Sequence, residues 1–177
     1  MENKYAWLLN EPNLPLIAKA LQFYGINEIA GDKHNPVIMG WAKELGPYLG
    51  AAYKADETPW CGVFMGIVAL RSGQIPPKIC IRAKEWGNFG KPKKIPQLSD
   101  VLVFTRNGGG GHVGLYVAED EHCFHVLGGN QGDAVSIVRI GKNRIVAARE
   151  SIWQGIRPAN VRRVLMDITG KISHNEA

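Results

Sequence analysis

Cys61 stands in the run DETPWCGVFMGIVALRSG, residues 56 to 73. Thr58 reads as an amino-terminal cap and Pro59 as the first helical residue, so the sulfur falls in the first turn of an apolar helix. Unpaired amides and the positive end of the helix dipole favour a thiolate there. The same amides stabilise an oxyanion formed when that sulfur attacks a carbonyl. The alternative is a small buried hydrophobe, so a nucleophile also needs a base. His112 is the candidate. It follows the loop RNGGGG and opens the strand HVGLYVA, residues 112 to 118. In that strand Val113, Leu115 and Val117 face one way, toward a core, and His112, Gly114 and Tyr116 the other. The bare positions Gly111 and Gly114 leave room for a substrate chain beside the imidazole. The competing reading makes the glycine run a flexible connector and His112 an exposed strand end.

A cysteine–histidine pair needs a third group to orient the ring. His125 and Asn130 compete, and hairpin geometry separates them. A two-residue turn at Glu119-Asp120 sets Gly114 opposite His125 and puts His125 on the face of His112. A three-residue loop, 119–121, sets Gly114 opposite Val126, turns His125 into the core and lets Asn130 reach His112 diagonally. The residues alone leave both open. Tyr53 and Trp60 are secondary candidates, for an oxyanion hydroxyl and a substrate-lining ring. His122, Cys123 and His125 alternate across a strand and no CxxC pair completes a four-ligand set, so no metal is expected, and no cofactor.

The elements that must position these groups read as helices first and strands second. Leu14, Ile17, Ala18, Leu21 and Tyr24 mark one helix, stopped by Gly25; Pro36 opens a second, which ends at Gly46-Pro47; the Cys61 helix is apolar on all sides and therefore central. Beyond a loop-rich stretch with one short helical turn near Arg82–Trp86 come VLVF, HVGLYVA, HCFHVLG, AVSIVRI and RIVAARE, joined by short turns that favour antiparallel pairing. This order predicts an α+β domain, with helices packed on a central antiparallel sheet. At 177 residues the chain fits one domain. Its core runs from about 14 to 150, a carboxy-terminal extension covers 151–177, and the final ISHNEA is expected to fray.

A net charge of +5 favours anionic partners. The basic residues form no dense run, which argues against nucleic acid. No stretch reaches the roughly 18 to 20 apolar residues of a membrane span. The apolar start Ala6–Leu9 is too short for a secretory signal, so synthesis in the cytosol is expected. Three widely spaced cysteines argue against a disulfide framework.

The run DETPWC, the strand GHVGLYV and the segment VLGGNQG, in this order, resemble the CHAP and NlpC-type peptidoglycan hydrolases, a papain-like superfamily. Within it they more closely resemble small phage endolysins, over residues 14 to 150. The resemblance implies a papain-like fold, Cys61 as nucleophile, His112 as general base and acid, and a polar third residue on Asn130. Many CHAP members carry a glutamate two residues before that asparagine. Here the position is Gly128, which points to a triad. The implied activity is cleavage of an amide bond in the peptide part of the bacterial wall, at the lactyl-muramoyl link or between stem-peptide residues. The implied setting is a monomer held in the host cytoplasm and acting on peptidoglycan in the periplasm after release. An injected antibacterial amidase effector, or a catalytically silent wall-binding or phage-structural protein, are the alternatives.

Overall fold

The five apolar runs after Ser99, joined by a two-residue strand at Lys91–Pro92 that the residues did not signal, pair into one six-stranded antiparallel sheet, and the helices precede it, as the α+β reading expected. The computed structural model describes residues 1–167, 170–174 and 176. The strands are β1 (Lys91–Pro92), β2 (Val101–Thr105), β3 (Gly111–Glu119), β4 (Cys123–Gly128), β5 (Ser136–Gly141) and β6 (Ile145–Glu150), in spatial order β1-β6-β2-β3-β4-β5.

Four helices cover one face: α1 (Pro15–Leu21), α2 (Pro36–Glu44), α3 (Pro47–Ala52) and α4 (Cys61–Arg71). The first three open on proline, where the missing N–H is no loss. Asn35 caps α2 by accepting the Val37 amide at 2.9 Å. The first helix is shorter than the residue spacing predicts: α1 buries Leu16, Ile17 and Ala20, leaves Ala18 exposed, and stops before Gly25, whose φ is 85°. The expected turn near Trp86 is a 3-10 helix over Ala83–Asn88.

The central position of α4 follows from its composition. Every side chain from Val63 to Ala69 other than Gly66 is apolar and buried, and each large one contributes roughly 1.5 to 3 kcal/mol by leaving water. Its amino terminus differs from expectation. Trp60, not Thr58, is the cap residue, and Cys61 is the first helical residue. Trp60 supplies no side-chain cap; instead Asn130 Oδ1 accepts the Trp60 amide at 3.3 Å.

The sheet has a core on each face. Val113, Leu115 and Val117 join α4 in the larger one, and Tyr116 lies with Leu102, Phe104, Phe124 and Val126 in a smaller one behind. The β3–β4 hairpin matches neither of the two registers considered for it. Its turn is Glu121-His122, closed by the Asp120 amide donating to Cys123 at 2.9 Å, and Asp120 Oδ1 accepts the His122 and Cys123 amides at 2.9 Å. A bulge between Tyr116 and Ala118 then shifts the pairing, so that Leu115 faces Leu127. Extended toward the strand start, this register sets Gly114 opposite Gly128 and His112 opposite Asn130.

Among the described residues of 151–176 there is no helix or strand, but the stretch is tied down. Leu98 donates to Arg162 at 2.8 Å, Glu119 to Val164 at 2.9 Å, and Ser173 to Arg139 at 2.8 Å. Within ISHNEA, expected to fray, Ser173 bridges Ile140 and Glu176 is fully buried; Asn175 and Ala177 lie outside the described residues. Among the described residues no helix is long and apolar enough to cross a membrane.

Candidate active site

The Cys61 end of α4 reaches β3 where β4 falls short. In the Leu115–Leu127 register the residue opposite Val113 is Gly129, one beyond the end of β4. The Val113 amide faces the Cys61 sulfur, and the Gly62 amide does so too. His112 is the neighbour of Val113 in β3. The charges of Arg106 and Glu176 act on both the thiol and the imidazole, so the two groups share one electrostatic neighbourhood.

Gln131 orients the imidazole. Its Nε2 donates to the Val126 carbonyl at 3.1 Å and the Ser136 carbonyl at 2.6 Å, which turns Oε1 toward His112 Nε2 at 2.9 Å. An amide oxygen can only accept, so His112 Nε2 carries the proton and Nδ1 holds the lone pair. That Nδ1 is buried and has no hydrogen-bond partner among the described residues. A base is therefore held in one tautomer with its accepting nitrogen uncommitted. Burial pushes the imidazole pKa down to about 4, against Glu176 and Gln131, which pull it up.

The thiol corrects an expectation. Burial raises the Cys61 pKa, and this outweighs the Val113 and Gly62 amides and the Arg106 charge, which favour the thiolate. Cys61 is 3% exposed and His112 is 0% exposed. At neutral pH Cys61 rests as a thiol and His112 as a neutral imidazole.

Asn130 does not hold the ring. Its φ of 57° ends the strand run and swings its side chain to α4, where Oδ1 takes the Trp60 amide and Nδ2 donates to Glu28 at 2.8 Å. Asparagine tolerates that left-handed backbone better than most residues. His125 is also elsewhere: it faces the helical side of the sheet, with Nδ1 accepting from Tyr5 Oη at 3.0 Å and Nε2 donating to Asp120 at 2.9 Å.

The secondary candidates are structural. Tyr53 Oη donates to the Thr58 carbonyl at 2.6 Å and braces the loop before α4. Trp60 is fully buried among Trp41 and Phe64, with Nε1 donating to Glu28 at 2.6 Å. Gly111 and Gly114 are both closely approached by protein. A Cβ on Gly111 would stand 3.1 Å from Lys84 Cγ, and one on Gly114 would stand 2.9 Å from the Leu127 carbonyl oxygen. They are glycines because protein already fills the space. Gly128 is the bare position that matters: a Cβ there would press on Gln131 Oε1 at 2.7 Å and His112 Nε2 at 3.3 Å.

No family model matches the sequence, and no curated protein matches it.

Gln131, Arg106, Arg144 and Glu176 do not stand out in the sequence. Gln131 sits inside VLGGNQG and Arg106 inside RNGGGG, so proximity to these motifs is the signal that could have found them. Arg144 and Glu176 have none. No group of three or more metal-ligating side chains occurs among the described residues, and Cys61, Cys80 and Cys123 are all free.

Proposed function

We propose that this chain is a papain-like cysteine amidase or endopeptidase acting on the peptide part of peptidoglycan. The observation that carries the reading is the His112 ring, held through Nε2 by Gln131 and bare at Nδ1, one residue along β3 from the amide that faces Cys61. A Cys61–His112–Gln131 set replaces the Asn130 version implied by the resemblance.

In the reaction, the Cys61 sulfur attacks the amide carbonyl carbon as its proton passes to His112 Nδ1. The resulting oxyanion is stabilised by unpaired amides of the first turn of α4. Collapse breaks the C–N bond, and the Nδ1 proton leaves with the amine. Water then gives a proton to Nδ1 and attacks the thioester, releasing the acid and restoring the thiol. Because the resting groups are neutral, the ion pair forms only as the bond is made.

Cys61→Ala should abolish release of wall fragments from purified peptidoglycan, read by mass spectrometry, with an unchanged circular dichroism spectrum. Undiminished release would overturn the assignment. The near-complete burial of both groups favours a second reading, a catalytically silent wall-binding protein. In that case the wild type binds peptidoglycan in a pull-down and releases no fragments.

A further inference from the structure

Beside the candidate pair lies a carboxylate that the proposed chemistry does not use. Arg144 Nη1 and Nη2 donate to the two oxygens of Glu176, each at 2.7 Å, and Arg106 Nε stands 3.9 Å from Oε2. The Glu176 side chain is 0% exposed. A buried carboxylate is costly unless paired, so the two guanidinium groups create the site and the glutamate fills it. The Arg144 fork is also held from the sheet, where Nε and Nη2 donate to the Thr105 carbonyl at 3.0 and 2.8 Å, and Nη1 further donates to the Ser173 carbonyl at 3.1 Å. Thr105 follows Phe104, which pairs with His112 and lies 6.4 Å from its ring, centroid to centroid. The anion seat is thus built on the strand that backs the imidazole. Its occupant lies three residues beyond Ser173, which bridges to Ile140 of the sheet.

We propose that Arg106 and Arg144 form a carboxylate-binding subsite of the Cys61 centre, filled here by Glu176 and in turnover by a free carboxylate of the substrate peptide. This rests on the hydrolase reading for its substrate, but the subsite itself does not. Glu176 is then an intramolecular competitor, and the wall peptide must displace it before its carbonyl reaches the sulfur. The class of substrate selected is a peptide with an acidic group close to the scissile amide, in preference to its amidated counterpart.

Alkylation of Cys61 tests this without any wall substrate. Iodoacetate carries the carboxylate and iodoacetamide does not. Rates at Cys61 would be read by peptide mapping at about pH 8.5, with Cys80 and Cys123 as internal references. Glu176→Gln should raise the iodoacetate-to-iodoacetamide rate ratio at Cys61 by roughly tenfold. Adding Arg106→Gln or Arg144→Gln should return the ratio toward its starting value. Arg106→Gln leaves the Arg144 bonds to Thr105 in place, so it decides the question even if loss of Arg144 unfolds the chain. An equal rise for both reagents would mean that Glu176 only covers the thiol, and would overturn the subsite. A ratio that stays high without the arginines would do the same. A chain that shows the ratio shift yet releases no wall fragments keeps the subsite and loses the hydrolase reading; the converse loses the subsite alone.

Discussion

Two fully buried histidines sit on neighbouring strands and are wired in opposite ways. His125 is satisfied at both nitrogens, by Tyr5 and by Asp120, and Asp120 is further held by Arg139 Nε at 2.7 Å. Each donor meets an acceptor, and the ring is a structural tie between the start of the chain, β4 and β5. His112 is held at one nitrogen by a neutral amide and is bare at the other. Both lose basicity to burial, but only His112 keeps a lone pair with nothing to accept. A saturated imidazole ties elements together; a half-saturated one keeps a lone pair that can still take a proton. Burial alone, or residue type alone, would not separate the two.

The comparison breaks most directly at His112. His112→Asn should lower wall-fragment release by roughly a thousandfold while leaving the fold intact. His125→Asn at the same readout should cost little beyond its effect on stability. Equal losses of turnover would erase the distinction.

Acid provides the next largest effect. At pH 7 His112 is neutral in the folded chain and mostly neutral in the unfolded one. Below its ordinary value of 6.5 the unfolded chain takes a proton that the folded ring refuses until about pH 4. Stability therefore falls as pH drops through that window, by roughly 2 to 3 kcal/mol between pH 7 and 4.5. Urea unfolding of wild type and His112→Asn at the two pH values should differ by that amount, with the variant losing less. Parallel losses would mean that the imidazole is not buried in its neutral form.

On the other side of the comparison, Asp120→Asn should destabilise the chain by roughly 2 kcal/mol, because His125 and Arg139 lose a charged acceptor. Thermal unfolding measures it, and turnover of the folded fraction should stay within about twofold of wild type. The smallest effect sharpens the assignment of the orienting residue. Gln131→Leu frees the ring and should lower turnover by roughly tenfold. Asn130→Ala removes a cap from α4 and should show mainly as about 1 kcal/mol of stability. A larger turnover loss for Asn130→Ala would return the third position to that residue.

Much of this arrangement is legible in the residues. The alternation of HVGLYVA sets which side chains face α4, and the all-round apolar body of residues 61–70 sets that helix at the centre. The hairpin is not legible. Asp120 closes a turn that begins at Glu121, two residues beyond the start of either expected turn, and a bulge at Val117 shifts the pairing again. A one-residue slip exchanges every side chain between faces, so the partner of His112 changes with it. The glycines mislead for a related reason: a missing side chain marks close approach, and sequence does not say whether protein or ligand approaches.

Local pattern by itself determined that a cysteine opens a buried helix, that a histidine opens the strand after a glycine loop, and that helices precede an antiparallel sheet. These follow from periodicity and turn chemistry, which act over a few residues. Contacts across the chain decided the rest: Gln131 rather than Asn130 on the imidazole, a protonated thiol at rest, and Glu176 seated on Arg144. Each depends on burial or on a pairing between residues that are near only after folding, and no short-range signal encodes a desolvation cost or a distant guanidinium.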